Sequence, residues 1–189
     1  MRLRSLALSL LFVFGGLTAQ SPDETHDALR KMKGEIVAAA NRKDYAALVN
    51  QMHPNVVITW QDAQVCRGRA QVEAYMRRMS EGPKALVESF QTDPTVDELT
   101  ILYGETGVAF GGSTDTFKLR GRMGFTQKSR WTATMVKHEG RWVLASLHAS
   151  VDVFDNPLLS AAKKTGLGLG LGGLVLGLVI GWMAGRRKR

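Results

Sequence analysis

The stretch of sequence that decides the fold is His53-Pro54-Asn55-Val56-Val57-Ile58-Thr59-Trp60. Its β-branched and aromatic side chains favour a strand, because such side chains pack well on a pleated surface. The residues from Gln61 to Gln64 are expected to turn, and Val65-Cys66 to return beside the strand. Gly68 then leads into a helix, so this stretch predicts the first strand of a sheet and the exit from it into a helix.

Two helices are predicted before this strand and one after it. Ser21-Pro22-Asp23-Glu24 is a capping box with proline at the first helical position, and it opens a helix. Apolar residues at helical spacing from Leu29 to Ala40 give that helix one buried face. Asp44 is expected to cap a second, short helix that Pro54 ends. The third helix is expected to stop at Gly82-Pro83.

Beyond Pro83 the sequence predicts strands. Apolar and β-branched runs alternate with turn dipeptides such as Asp93-Pro94 and Glu139-Gly140. The predicted strands are 85–91, 99–103, 108–117, 125–136 and 142–154. Helices followed by a run of antiparallel strands indicate an α+β fold, with the helices segregated on one face of a curved sheet.

Three segments occur in an order that is typical of one superfamily. Ala38 to Tyr45 joins a run of small residues to an N-x-x-D motif before the second helix. The strand 53–60 is followed by Arg67-Gly68-Arg69, and Glu139 to Trp142 is followed by Leu147-His148-Ala149-Ser150. Together they resemble the nuclear transport factor 2-like superfamily, which includes ketosteroid isomerases, SnoaL-like cyclases and the association domain of calcium/calmodulin-dependent kinase.

The resemblance spans residues 24–157 and implies a cone-shaped, curved antiparallel sheet with three N-terminal helices on one face. It does not imply one activity, because this fold carries enzymes, binding proteins and oligomerisation modules. In the isomerases a base and two acidic donors act on a carbonyl compound. By the resemblance, the tyrosine donor falls on Ile36 and the aspartate base on Trp60, and neither can do that chemistry. Asp62 lies two residues further on, in the predicted turn.

The last predicted strand offers two interpretations of a candidate site. Its odd-numbered positions are apolar, and its even-numbered positions include His148, Ser150 and Asp152. If the apolar face packs on the helices, His148 faces water or a partner subunit. If sheet curvature places the other face over a cavity, His148 could act there as an acid, a base or a hydrogen-bond donor near neutral pH, with Ser150 beside it.

The expected ligand is a small apolar molecule in a cone-shaped pocket. Trp60, Tyr75 and Trp131 are the candidate pocket walls, although large aromatic side chains also suit an ordinary core. The alternatives are an acid–base enzyme of isomerase, cyclase or hydrolase type that uses His148, and an oligomerisation or interaction module. No metal-ligand spacing and no phosphate-binding glycine loop suggests a cofactor. Cys66 is expected to be a buried small side chain.

The formal charge of +8 comes from the two ends of the chain. Between residues 20 and 160, Lys and Arg equal Asp and Glu in number. A nucleic-acid interface needs basic residues clustered on the folded domain, so no nucleic-acid partner is predicted.

The N-terminal and C-terminal segments of the chain both have features typical of membrane-targeting segments. Arg2 and Arg4 precede an apolar run that ends in small residues at Ala19, which is typical of a removable export signal, with an uncleaved anchor as the alternative. An uncharged stretch, 166–185, is long enough to span a bilayer as a helix. The predicted organisation is a signal peptide at 1–19, a SnoaL-like domain at 20–156, a stalk at 157–165, a transmembrane helix at 166–185 and a cytoplasmic basic tail at 186–189.

The basic tail predicts a single-pass protein of the cell membrane, with its C-terminus in the cytoplasm and its domain on the periplasmic or outer face. A sorting tail that is later removed is the alternative. Gly173, Gly177, Gly181 and Gly185 lie on one face of the span and permit close helix approach. A homodimer is expected, through the sheet as in superfamily members and aided by this glycine face.

Overall fold

The computed structural model describes residues 21–121 and 124–186. The predicted signal peptide and the last three residues of the basic tail lie outside the described residues. The helices are α1 (Pro22–Asn41), α2 (Tyr45–Asn50), α3 (Gly68–Ser80) and α4 (Pro157–Arg186). The strands are β1 (Met52–Thr59), β2 (Val65–Arg67), β3 (Val87–Pro94), β4 (Ile101–Tyr103), β5 (Thr106–Leu119), β6 (Phe125–His138) and β7 (Arg141–Val151).

The predicted starts of α1 and α2 are confirmed. The Ser21 hydroxyl accepts a hydrogen bond from the backbone N–H of Glu24, and the Glu24 carboxylate accepts one from the backbone N–H of Ser21. At α2, the Asp44 carboxylate accepts a hydrogen bond of 3.0 Å from the backbone N–H of Ala47. These caps satisfy N–H groups that have no partner within the helix.

The expected end of the second helix at Pro54 is wrong. α2 ends at Asn50, and β1 begins at Met52 and includes the proline. The pairing of β1 with β7 shifts register between Met52 and Val57, so Pro54 lies where the ladder is irregular. A proline is tolerated in a strand at such a place, because no ladder hydrogen bond from its nitrogen is needed.

The sheet is mixed, which corrects the expectation of a wholly antiparallel sheet. Its order is β2-β1-β7-β6-β5-β3, with β4 also paired to β5. Among the described strands, every pair is antiparallel except β1 with β7, which run parallel. These two strands stand far apart in the chain, so no hairpin turn constrains their relative direction. The α+β class and the helices on one face of a curled sheet are confirmed.

A bulge in β7 changes which of its side chains face the helices. The register with β6 shifts between Thr134 and Met135, so Leu144 and Leu147 both point to the helix side although they are three residues apart. From Leu147 onward the expected alternation holds, with Ala149 and Val151 on the same side. A bulge inserts one extra residue and so reverses the alternation once.

The helix α4 contains both the predicted stalk and the predicted span. It runs without interruption for 30 residues from Pro157 to Arg186, and the Asn156 side chain caps it by accepting from the backbone N–H of Leu159. Its segment Leu159–Met183 is long and apolar enough to cross a membrane and is not buried within the protein. The stalk is therefore helical and continuous with the span.

Candidate ligand-binding cavity

A cavity of about 1290 Å³ lies between the curled sheet and the helices. Its wall is largely apolar. The helices contribute Leu29, Met32, Ile36, Met76 and Met79, and the sheet contributes Ile58, Phe90, Phe117, Trp131, Met135, Leu144 and Leu147. The sheet side also carries Ala109, Ala133 and Ala149, and larger side chains at these positions would fill the space. Small inward residues on a curved sheet leave a binding cavity where large ones would make a core.

Two of the predicted wall residues pack directly on each other. The rings of Trp60 and Tyr75 are stacked, with their centroids 4.8 Å apart. The indole N–H of Trp60 donates to Cys66 Sγ at 3.2 Å, and Cys66 is buried as predicted. The Tyr75 hydroxyl donates to Asp62 Oδ2 at 3.2 Å. These contacts fix both rings at the cavity wall, where all of Trp60, Asp62 and Tyr75 are exposed to the space inside.

Burial raises the pKa of the Tyr75 hydroxyl well above its usual value, and the nearby Asp62 carboxylate raises it further. Both causes disfavour the phenolate, the first through desolvation and the second through repulsion between like charges. Tyr75 is therefore a neutral hydrogen-bond donor at physiological pH.

Trp131 lies on β6, on the inner side of the sheet, and its position depends on a glycine. Its indole N–H donates to the Gly112 carbonyl at 2.7 Å. A Cβ atom at Gly111 would lie 2.0 Å from the Thr95 carbonyl oxygen and 3.0 Å from the Trp131 ring. Only glycine permits the chain at Thr95 to approach β5 this closely and leaves room for the Trp131 ring beside it.

The sequence analysis missed the most polar part of the wall, which centres on Asp115. This carboxylate is only 4% exposed. Its Oδ1 accepts from the Thr92 and Ser113 hydroxyls, both at 2.7 Å. Its Oδ2 accepts from the Gln61 side-chain amide at 2.8 Å and from the Ser129 hydroxyl at 2.9 Å. We call these five residues the polar patch.

Four donors match the capacity of an ionised carboxylate, which can accept at about four lone-pair positions. Such saturation is what allows a charge to stay buried, since an unpaired one costs several kcal/mol. The signal in the sequence is the pairing of Ser113 with Ser129 and of Asp115 with Gln127 in adjacent strands. Polar residues at i and i+2 on both strands occupy one face, but periodicity alone does not say which face is inward.

His148 and Ser150 do not belong to this site. Both side chains are exposed on the outer face of the sheet, and neither lines the cavity, whereas their neighbours Leu147, Ala149 and Val151 do. The placement of His148 and Ser150 inside the pocket is therefore wrong. The apolar face of β7 packs toward the helices, because burying it removes the larger apolar area from water. Of the five predicted pocket residues, the structure brings together Trp60, Tyr75 and Trp131.

Within the described ranges, no group of three or more His, Cys, Asp or Glu side chains is placed to hold a metal ion. Two aspartates line the cavity beside Trp60 and Gln61: Asp62 accepts from the Tyr75 hydroxyl, and Asp115 accepts from the Gln61 side chain. Ile36 and Trp60, at which the resemblance places the isomerases' donor and base, both line the cavity.

The family model of the SnoaL-like domain matches residues 30–153. This match covers more than half of the chain, and the chain therefore belongs to the SnoaL-like family within the nuclear transport factor 2-like superfamily. The resemblance inferred from the three sequence segments is confirmed. No curated protein matches the chain in sequence.

Several solved structures share the fold. A candidate dehydratase of the NTF2-like family from Streptomyces avermitilis is 19% identical with a TM-score of 0.59, over 70% of this chain and 99% of that one. A type 2 hexachlorocyclohexane dehydrochlorinase is 10% identical with a TM-score of 0.58, over 70% and 88%. A candidate scytalone dehydratase from Novosphingobium aromaticivorans is 9% identical with a TM-score of 0.57, over 68% and 85%. At these identities the likeness establishes the fold alone.

Proposed function

We propose that this domain binds a small, largely apolar molecule that carries one polar group, and that α4 holds the domain at a membrane. The observation that supports this proposal is the cavity of about 1290 Å³, whose apolar wall is interrupted by the polar patch. Small-molecule sites generally have this form, with a few polar groups that orient a ligand among apolar walls.

The polar patch favours a ligand that donates a hydrogen bond. The hydroxyl protons of Thr92, Ser113 and Ser129 stay within the patch, because all three hydroxyls contact Asp115 and the Thr92 and Ser113 oxygens also lie 2.9 Å from each other. The lone pairs that these oxygens do not use within the patch can accept a hydrogen bond from a ligand. An alcohol, a phenol or an amine would satisfy them, whereas a ketone or an ether would leave them without a donor.

A second candidate function is acid–base catalysis, and the contact between Tyr75 and Asp62 is the observation that favours it. Asp62 is held at the cavity wall by Tyr75 and by the backbone N–H of Gln64, at 3.1 Å. A carboxylate and a neutral tyrosine donor on one wall could remove a proton and stabilise an oxygen. His148, the residue first considered for this role, lies on the other face.

The proposal can be tested with 2-naphthol as a probe and tryptophan fluorescence as the readout. The full-length chain is placed in phosphatidylcholine vesicles with Trp182→Phe, which removes the indole of α4. Of the three tryptophans that remain, Trp60 and Trp131 line the cavity and Trp142 is buried away from it. We expect saturable quenching by 2-naphthol. 2-Methoxynaphthalene, which has no proton to donate, should bind at least fivefold more weakly.

Two substitutions then separate the cavity from the outer face of the sheet. Ala133→Phe and Ala149→Phe place a ring in the cavity and should each weaken 2-naphthol binding tenfold or more. His148→Ala, on the outer face, should leave it unchanged, and circular dichroism checks that all three variants fold. Non-saturable quenching in the parent protein, or equal affinity in folded cavity-filled variants, would refute the binding proposal. Turnover of a bound alcohol that Asp62→Asn abolishes would favour the enzyme.

A further inference from the structure

The cavity reaches the point at which the membrane helix begins. Val151, the last residue of β7, and Val153, two residues beyond it, both line the cavity, as does Asn156, whose side chain caps α4. Pro157 is the first residue of that helix. The wall of the cavity and the start of the apolar helix are therefore contiguous in the chain.

Several apolar side chains around this end of the cavity are exposed, and Phe125 among them is half-buried. Val153 is 71% exposed and Leu86 is 60% exposed, and both line the cavity. Phe125 lines it on the neighbouring strand, and Phe154 beside Val153 is 87% exposed. We call Leu86, Phe125, Val153 and Phe154 the rim. A contiguous exposed apolar group on a folded domain commonly marks a contact with a partner or a membrane.

An apolar path leads from the rim to the polar patch. Phe125 stacks on Phe117 with centroids 5.2 Å apart, and Phe117 contacts Phe90 at 5.0 Å. Phe117 is two residues from Asp115 on β5, which is about 7 Å along a strand. Ionisable side chains also border the cavity. Near the start of α1 these are His26, Arg30 and Lys33, and near Leu86 they are Lys43 and Arg120.

The length of α4 places the rim close to a bilayer. If the hydrocarbon core begins at Gly166, nine helical residues separate it from Asn156, or about 14 Å of helix. The headgroup layer occupies roughly 5–8 Å of that distance on each side of a bilayer. Val153 and Phe154, the part of the rim that directly precedes α4, then lie within several ångströms of the headgroups.

We infer that the cavity takes its ligand directly from the bilayer, through the rim, and that the ligand is a single-chain amphiphile with a hydroxyl or amine head. This inference rests on the proposed function. It adds that the ligand reaches the polar patch past Phe125 and Phe117 without crossing bulk water. Long-chain alcohols and amines fit both the donor that the patch requires and the apolar path that leads to it.

The test measures how fast hexadecanol enters the emptied cavity from a bilayer. The hexadecanol carries a photoreactive diazirine on its chain, which labels the protein segments that it contacts. Full-length protein in phosphatidylcholine vesicles is first saturated with 2-naphthol, and rapid dilution then empties the cavity at a known time. Flash photolysis at successive times, followed by peptide mass spectrometry, measures labelling of β6. We expect β6 to be labelled in the parent protein, in addition to α4.

Two variants interrupt the route without altering the polar patch. A 16-residue Gly-Ser insertion between Ala162 and Lys163 lets the domain leave the membrane surface, and it should slow labelling of β6 at least tenfold. Val153→Asp should slow it severalfold by placing a charge on the rim. Tyr103→Asp, an exposed residue that does not line the cavity, is the matched control and should label at the parent rate.

The outcomes distinguish the inference from the function on which it rests. If the insertion variant binds 2-naphthol normally and labels β6 as fast as the parent protein, entry from the bilayer is refuted while binding stands. If labelling is confined to α4 in every protein that still binds 2-naphthol, the inference also fails. If 2-naphthol itself does not bind the parent protein, the proposed function fails first.

Discussion

At the scale of single residues, four hydrogen-bond donors converge on the buried carboxylate of Asp115. Asp115→Ala leaves these donors without their acceptor. We expect the free energy of unfolding to fall by about 1–3 kcal/mol, the usual cost of unsatisfied buried polar groups. Urea unfolding followed by circular dichroism measures it. Glu105→Gln, at an exposed position, should change stability by less than about 0.5 kcal/mol. Equal effects of the two substitutions would contradict the role assigned to Asp115.

Tyr75 should make stability depend on alkaline pH. Its pKa is raised in the folded state, so the folded chain keeps its phenolic proton at a pH where the unfolded chain loses it. The contribution of Tyr75 is therefore complete below about pH 10, the usual tyrosine pKa, and declines as the pH rises beyond it. Tyr75→Phe should flatten the decline of the unfolding free energy above about pH 10, since phenylalanine has no proton to lose.

The matched control for that measurement is Tyr103→Phe, because Tyr103 is largely exposed. Its pH profile should follow that of the parent protein. Parallel profiles for all three proteins would show that Tyr75 does not keep its proton preferentially in the folded state.

At the scale of elements, the close approach of the chain at Thr95 to β5 should tolerate no side chain at Gly111. In Gly111→Ala the new Cβ would meet the Thr95 carbonyl oxygen at 2.0 Å, so the loop or the strand must move. We expect a loss of more than about 2 kcal/mol in unfolding free energy, as for other overpacked sites. Gly34→Ala is the control, because its Cβ would meet nothing within 4 Å inside α1. It should stabilise the protein by about 0.5–1 kcal/mol.

The helix α4 should also mediate association of the full-length chain. Gly177 lies in its exposed apolar segment, and a Cβ there would meet no atom of the same chain. Gly177→Leu should therefore leave the fold intact and weaken dimers by keeping two helices apart. Chemical crosslinking in vesicles at several protein-to-lipid ratios measures the effect. Leu176→Ala, beside it on the helix, serves as the comparison. A parent protein that stays monomeric at every ratio would refute the predicted homodimer.

Much of the architecture could be predicted from local signals. The capping box at Ser21, the cap at Asp44 and the turn after Trp60 each depend on a few adjacent residues, and each was found where expected. The parallel pairing of β1 with β7 and the bulge near Met135 could not be predicted in this way. Both depend on contacts between distant strands, and no short pattern encodes such contacts.

The residues of the candidate site also fall into two groups, those that the sequence could predict and those that depend on contacts between distant strands. The aromatic walls at Trp60, Tyr75 and Trp131 could be named from residue type, because large rings generally face inward. The inward direction of Asp115 and the outward direction of His148 follow from which face of the sheet meets the helices. Asp115 was missed because a buried carboxylate is uncommon, and the three hydroxyl groups that stabilise it come from three different strands.

At the scale of the whole molecule, the side of the membrane on which the domain lies remains a prediction, and it is based on the charged residues on either side of the predicted span. Four cations follow it in the sequence, against Lys163 and Lys164 before it. The excess favours a cytoplasmic C-terminus. A reporter that works only in the cytoplasm should be active when fused after Arg189 and silent when fused after Ser160. The reverse pattern would place the domain in the cytoplasm.

Because α4 continues without a break from the cap at Asn156, the direction in which the domain faces is fixed relative to the faces of α4. Each residue added to an α-helix turns everything beyond it by about 100°. One alanine inserted after Ala162 would rotate the domain, and with it the opening of the cavity, by about 100° about the helix axis. Seven inserted alanines would return the opening to within about 20° of its original direction. In two chains that pack along their glycine faces, the angle about α4 between the glycine face and the cavity opening would determine whether the two cavities open toward each other or away from each other.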